Sequence, residues 1–233
     1  AQLKAGGVRA VLADRETLSY RIRDAEMNKV PYMAVIGERE AEAGTVAVRK
    51  RGAGKKQEIF DRADFVEQVK TVDVLVLSVN TPAFTTPAAR KAIFDHVAAG
   101  KGVVLLHAGV WYNYKDWPEY NRELAGGGSR GHDRLGEYEV KATGVAHPIM
   151  KGVPATFRIT DELYYFQPDA AGTPIEVLAT ATSTLKPGTY PQVFIVMHPK
   201  ARIAGLTLGH DARAHDLPEF KTLLVNAIEW VKK

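Results

Sequence analysis

The sequence predicts an α/β fold with a mostly parallel sheet and helices on both faces. Three observations carry this. Asp73 to Val79 reads as a fully buried strand, Pro82 to Gly100 as a loop and helix, and Val103 to Leu106 as a second buried strand. Strand, helix and strand in that order make the crossover of a parallel sheet. The last fourteen or so residues place Phe220, Leu223, Leu224, Ala227 and Val231 on one stripe of a helix from Pro218 to Val231. Finally, the 233 residues are 45% hydrophobic and 25% charged, enough for one large core or two modest ones and outside the disordered and fibrous classes.

The elements follow in order. Val8 to Leu12 reads as a short strand, and Thr17 to Lys29 as a helix with Asp14 or Thr17 as cap, ended by Pro31. Tyr32 to Ile36 is a second strand, Gly37 a turn, Glu38 to Ala43 one polar helical turn and Thr45 to Val48 a third strand. Lys50 to Lys56 makes a basic turn, followed by Ile59 and a helix from Asp61 to Lys70. In the second half, Thr86 caps the helix that carries Ala88, Ala92, Ile93 and Val97 inward, and Gly100 stops it. Asn113 to Leu124 is read as an amphipathic helix bearing Trp117 and Tyr120. Glu137 to Lys141 and Phe157 to Ile159 are short strands of an insertion, and Ile175 to Ala179 returns to the sheet. Gln192 to Met197 with Arg202 to Leu208 forms a late hairpin.

No apolar run of about 18 residues is present, so no membrane span is expected. The N-terminus has neither a hydrophobic targeting core nor Met, which suggests a trimmed or recombinant start, and the absence of cysteine is consistent with a cytoplasmic location. Zero cysteines exclude disulfides, thiolate metal sites and a Cys nucleophile. A net charge of +4 is too small to indicate nucleic acid by itself. All 7 His and all 3 Trp fall after residue 95, which sets the two parts of the chain apart.

The run from Ile22 through Pro31, Tyr32 and Gly37 to Gly52 resembles the anticodon-binding domain of threonyl-tRNA synthetases over about residues 4 to 70. That resemblance implies anticodon-base contacts at Glu40 and Arg49, with the basic turn beside the phosphates. A carboxylate and an Arg fork suit base edges. Without the catalytic domains that bring tRNA, solvated surface charge is the preferred reading of both, and no obligatory nucleic-acid partner is expected.

Gly102 to Gly109, Gly126 to Asp133, His147-Pro148, Ile159 to Tyr164 and Leu208 to Asp211 resemble the trehalose-utilisation (ThuA-like) domain. That family is a branch of the class I glutamine amidotransferase-like fold, and the likeness runs from about residue 72 to the C-terminus. It implies a flavodoxin-like or amidotransferase-like three-layer sheet. Two truncated likenesses meeting near Lys70 to Asp73 suggest a chimera: residues 1–71 and 72–233 as two α/β fragments merged into one domain and one sheet. An unfilled sheet edge would also make a homodimer by strand exchange a candidate arrangement.

Where amidotransferase relatives carry a nucleophilic Cys after a buried strand, this sequence has His107. The ThuA-like resemblance implies a polar pocket of His107, His132, Asp133, Asp161, Glu162, His210 and Asp211. His107, His210 and Asp211 are the catalytic candidates, the others substrate-binding together with Trp111. Imidazoles beside carboxylates suit acid–base work on a sugar, and a divalent metal is the alternative use of the same groups, although no cofactor is required. A His after four buried apolar residues must be hydrogen-bonded or face a cleft. His132-Asp133 and His210-Asp211 each follow a Gly and could serve only as turns. His147 and His198, each before Pro, read as loop histidines.

The leading expectation is an artificial or recombinant chimera with no evolved activity of its own. A ThuA-like carbohydrate-processing or weakly sugar-binding protein is the alternative, and a tRNA-anticodon-binding module the second.

Overall fold

The computed structural model describes residues 32–35, 46–50, 58–60, 62–78, 84, 86–112 and 116–232. The strand at Val8, the helix from Thr17, the turn at Glu38 and most of the basic turn lie outside them. The described residues fall into two compact units, one within 3–71 and 82–92 and the other within 72–81 and 93–233.

In the first unit, strands β1 (Tyr32–Val35), β2 (Val46–Lys50) and β3 (Glu58–Phe60) form an antiparallel sheet in that order. Helix α1 (Arg62–Thr71) follows, and Phe65 stacks on Phe84 at 5.0 Å between ring centroids. Strand β3 has too few residues to announce itself as alternation. It is defined by pairing Val46 with Phe60 and Val48 with Glu58.

The second unit is built on a mixed sheet whose described strands run β4-β5-β12-β11-β10-β7-β8. These are β4 (Val74–Leu77), β5 (Gly102–Leu106), β7 (Gly136–Ala142), β8 (Thr156–Asp161), β10 (Ile175–Ser183), β11 (Gly188–Val196) and β12 (Ile203–Leu206). Pairing of β5 with β4 and with β12 is parallel. The remaining pairings are antiparallel; β10–β11 and β11–β12 are joined by the short links that antiparallel partners allow, whereas β7 reaches β8 and β10 through longer stretches of chain. A separate ribbon pairs β6 (Gly127–His132) with β9 (Tyr164–Pro168).

The single sheet expected from the two fragments is therefore not what the described strands form. Among the described residues β1 and β3 each pair with β2, the sequential neighbour they share. Val74 to Leu77 is also not buried on both faces: Leu75 and Leu77 are buried but Val76 is 45% exposed, since β4 ends the order of described strands. Strand β5 does have the fully buried character expected of a central parallel strand, with all five residues inside.

Helix α2 (Pro87–Ala98) is capped by the Thr86 hydroxyl, which accepts from Ala89 N at 3.3 Å. Gly100, with φ +80°, ends it. Ala89, Ala92, Ile93 and Val97 are its buried side, whereas Ala88 is exposed, one position off the expected stripe. The region expected as a helix from Asn113 is described as helical only from Pro118, and Tyr120–Ala125 widens into a π-turn with Tyr120 and Leu124 buried. After the one-turn helix α3 (Ala212–His215), helix α4 (Pro218–Val231) begins with Pro at its first turn, where the missing N–H costs nothing. Its Phe220, Leu223, Ala227 and Val231 pack with Val104, Leu106, Ile195 and Leu206 in the main core, while Leu224 is partly buried. Each of the larger side chains, Ala227 aside, contributes about 1.5–3 kcal/mol of burial.

Strand β5 runs straight into a 3-10 turn, His107–Val110. A Cβ on Gly109 would lie 2.1 Å from the Leu77 carbonyl oxygen, so only glycine lets this turn lie against the end of β4. Gly109→Ala is expected to destabilise the chain by about 1–3 kcal/mol through this backbone clash. An unchanged thermal midpoint in a calorimetric scan would contradict the close approach.

Candidate active site

His107 is the first residue after a fully buried strand and has φ +44°, the one described non-glycine residue with positive φ. A β-carbon in that region costs about 1–3 kcal/mol, so the surroundings must hold it there. They do so through the ring. His107 Nδ1 lies 2.7 Å from the Thr207 carbonyl, which can only accept, so Nδ1 carries the proton. The neutral ring then presents an unprotonated Nε2. Tyr164 donates its hydroxyl to that nitrogen at 2.9 Å.

Three further groups converge there. His210 Nδ1 is 3.3 Å from His107 Nε2 and 3.1 Å from Glu162 Oε2. Glu162 Oε2 is 3.6 Å from His107 Nε2, and Glu162 Oε1 is 3.6 Å from His132 Nδ1. Trp111 meets His132 and Tyr164 edge-on, with ring centroids 5.6 and 5.1 Å away. The site thus joins the end of β5, the ribbon β6–β9, the β8–β9 corner and the segment after β12. His107 is nearly buried, Glu162 is largely buried, and His210 is open at 39% side-chain exposure.

Burial lowers the His107 pKa to about 4, a shift augmented by the neighbouring imidazoles and opposed by the Thr207 carbonyl and Glu162. Burial raises the Tyr164 hydroxyl, and the Glu162 and Asp161 carboxylates add to this. At neutral pH the pair is an unprotonated imidazole nitrogen and a protonated phenol.

Asp161, fully buried, lies behind this surface. It accepts the backbone N–H of Gly209 at 2.6 Å, His210 at 3.1 Å and Glu162 at 2.8 Å, fixing the two segments that present His210 and Glu162. Burial raises its pKa against those three donors. It positions the site and does not line it. Asp211 accepts from the Arg213 backbone N–H at the start of α3 and is ion-paired with the Arg213 guanidinium, which holds its carboxyl near a pKa of about 2. That is a helix cap, and its described tie to the imidazole cluster is the charge of the adjacent His210, which lowers the carboxyl further. Asp133 accepts from the Tyr165 and Ser183 hydroxyls, and its carbonyl lies 2.8 Å from His132 Nδ1. His147 and His198 each accept backbone N–H groups in their own turns. Glu40 lies outside the described residues, and Arg49 falls in β2 without a described side chain.

Tyr164, Thr207 and Gln192 were not among the residues the sequence singled out for a role. Gln192 is fully buried; its Oε1 accepts the Thr207 hydroxyl at 2.6 Å and its amide reaches the Tyr164 carbonyl at 3.4 Å, tying the two partners of His107 together. The available signal for Tyr164 is its place at the end of the Ile159 to Tyr164 motif, two residues after Glu162.

A family model described as trehalose utilisation, ThuA, matches residues 33–231. The chain belongs to the ThuA family. The match begins well before residue 72, where the motifs alone placed the start of the likeness. Among solved structures, a ThuA-like protein of Parabacteroides merdae is 26% identical with a TM-score of 0.65, over 75% of each chain. A ThuA-like protein of Bacteroides uniformis is 25% identical with a TM-score of 0.62, over 73% of this chain and 74% of that one. These fit the amidotransferase-like α/β architecture. The N-terminal part is similar to threonine–tRNA ligases. That of Carboxydothermus hydrogenoformans is 49% identical over 65 residues, 27% of this chain and 10% of the ligase. That of Phocaeicola vulgatus is 53% identical over 57 residues, 24% of this chain and 9% of the ligase. The chain thus spans about a tenth of these ligases and combines the two kinds of domain. Among the described residues, no helix of the ThuA-family chain is long and apolar enough to cross a membrane.

A folded-state pKa of about 4 for His107, against 6.5 in the unfolded chain, means the unfolded chain holds more protons between those values. Stability is therefore complete above about pH 6.5 and falls as pH drops toward 4, by about 3 kcal/mol from this residue. Urea unfolding at neutral and acidic pH, in buffer with chelator, is expected to show this loss in the native chain and a smaller one in His107→Asn. Equal losses in both would contradict the assignment.

Proposed function

We propose that this ThuA-family chain binds a carbohydrate at the His107 site and carries out acid–base chemistry on its hydroxyl groups. The observation that carries the reading is the convergence of His107 Nε2, Glu162, His210 and the Tyr164 hydroxyl on one point beside the Trp111 ring. A sugar presents hydroxyls in its plane and C–H groups on its faces. The polar groups match the first and the Trp111 and Tyr164 rings match the second. The family description, trehalose utilisation, supports a glucose disaccharide as the first substrate to try.

The residues divide the work by chemistry. His107 Nε2 is an acceptor for hydroxyl protons at neutral pH, the Glu162 carboxylate oxygens face the same point, and Tyr164 is a donor whose proton is held firmly. Asp161, Thr207 and Gln192 hold these groups in register without touching the ligand. The first unit's likeness to a tenth of a threonine–tRNA ligase supplies no group to this cluster among the described residues.

His210→Ala removes a partly exposed side chain, and its effect on folding stability is expected to stay within about 0.5–1 kcal/mol. Its effect on binding should be large: trehalose titrated into the native chain moves the imidazole NMR signals of His107 and His210, and His210→Ala abolishes the response of His107. No response in the native chain to trehalose or related disaccharides is the result expected of a joined chain without an activity of its own, and it would overturn the proposal.

A further inference from the structure

We propose that His107 Nε2, His210 Nδ1 and Glu162 Oε2 are three ligands of one first-row divalent cation, and that its open positions take two neighbouring oxygens of the sugar. The second half of this statement rests on the carbohydrate reading above, whereas the cation site stands on its own geometry.

The first argument is dimensional. Imidazole nitrogens and carboxylate oxygens bind such cations at about 2.0–2.2 Å, so ligand atoms at tetrahedral to octahedral angles lie about 2.8–3.6 Å from one another. The three edges of the triangle are 3.3 Å between the two nitrogens, 3.1 Å from His210 Nδ1 to Glu162 Oε2 and 3.6 Å from His107 Nε2 to Glu162 Oε2. All three fall in that window. These residues come from three separate stretches of chain, so local backbone geometry does not impose the match.

The second argument concerns lone pairs. The single ring proton of neutral His107 is used on the Thr207 carbonyl, so Nε2 and the Glu162 carboxylate face one another as acceptors 3.6 Å apart. In the cation-free chain the Tyr164 hydroxyl serves the first at 2.9 Å and a His210 Nδ1 proton the second at 3.1 Å. A cation at the centre engages all three lone pairs and frees the Tyr164 hydroxyl to donate to a bound sugar oxygen.

The third argument is the shell behind the ligands. A metal-bound imidazole ordinarily gives its other N–H to a carbonyl or carboxylate, and the Thr207 carbonyl does this for His107. Two imidazoles and one carboxylate form a face that favours first-row transition ions over calcium or magnesium and leaves the opposite positions free. Partial exposure of His210 and the Trp111 ring place that free side where a sugar would enter. Two adjacent hydroxyls, or a hydroxyl beside a carbonyl, are the chelating groups a sugar offers.

The test uses the full chain without an affinity tag, titrated with Co²⁺ and followed by visible absorption and by equilibrium dialysis. One Co²⁺ per chain is expected. Glu162→Gln and His210→Gln, both spared the buried position of His107, should each weaken binding roughly tenfold or more while retaining the thermal midpoint. Absence of Co²⁺ binding to the native chain at millimolar cation, or binding by both variants equal to the native chain, would overturn the cation site. Trehalose titrations with cobalt and with EDTA separate the two readings. Sugar binding that is indifferent to EDTA rejects the cation and leaves the carbohydrate pocket standing. Stoichiometric Co²⁺ binding without any sugar response upholds the cation and rejects the carbohydrate.

Discussion

The hydrogen bond from His107 Nδ1 to the Thr207 carbonyl decides what this site can do. It links the end of β5 to the segment after β12, two neighbouring parallel strands, and it fixes one tautomer of a ring that burial keeps neutral. A His at φ +44° would relax if the ring were free, at a gain of about 1–3 kcal/mol. Because the ring is anchored, that backbone geometry aims Nε2 at the corner where Glu162, Tyr164 and His210 arrive.

The rest of the second unit can be read as support for that corner. A fully buried β5 gives its carboxyl end no latitude, and α4 closes the core on one side through Phe220, Leu223 and Ala227. Asp161 binds three backbone N–H groups and so couples the Glu162 and His210 segments, while Gln192 couples Thr207 to Tyr164. Two buried polar side chains thus tie together the segments that carry Glu162, His210, Tyr164 and Thr207. Such networks stabilise only when satisfied throughout, which is why the loss of a single member should be felt as displacement of the reactive groups as well as reduced stability.

Much of the fold was legible because its elements have strong periodicity. The final helix from Pro218 to Val231, the buried strand after Gly102 and the late hairpin all declare themselves by apolar spacing or by continuous apolar runs. Strand β6 does not: its sequence Gly-Gly-Ser-Arg-Gly-His has no apolar alternation, and its extended form comes from pairing with β9. Gly127, at φ +156°, permits that pairing because a Cβ would lie 2.2 Å from the Gln167 carbonyl oxygen. Strand β4 misled for the opposite reason, since Val74 to Leu77 is apolar throughout although Val76 lies on an open face. In the site, His107, Glu162 and His210 could be named from motifs, and Trp111 from its aromatic-rich stretch. The division of Asp161 and Asp211 into supporting and capping roles could not, because it depends on which backbone N–H groups each carboxylate meets.

The most direct test of this account is the tautomer of His107, read from the two ring nitrogens in a long-range ¹H–¹⁵N NMR correlation of the metal-free chain at neutral pH. The structure requires a protonated Nδ1 and an unprotonated Nε2 for His107. A protonated Nε2 with a bare Nδ1 would place the proton on the face that meets Glu162 and His210, and would contradict both the anchoring by Thr207 and the reactive lone pair derived from it.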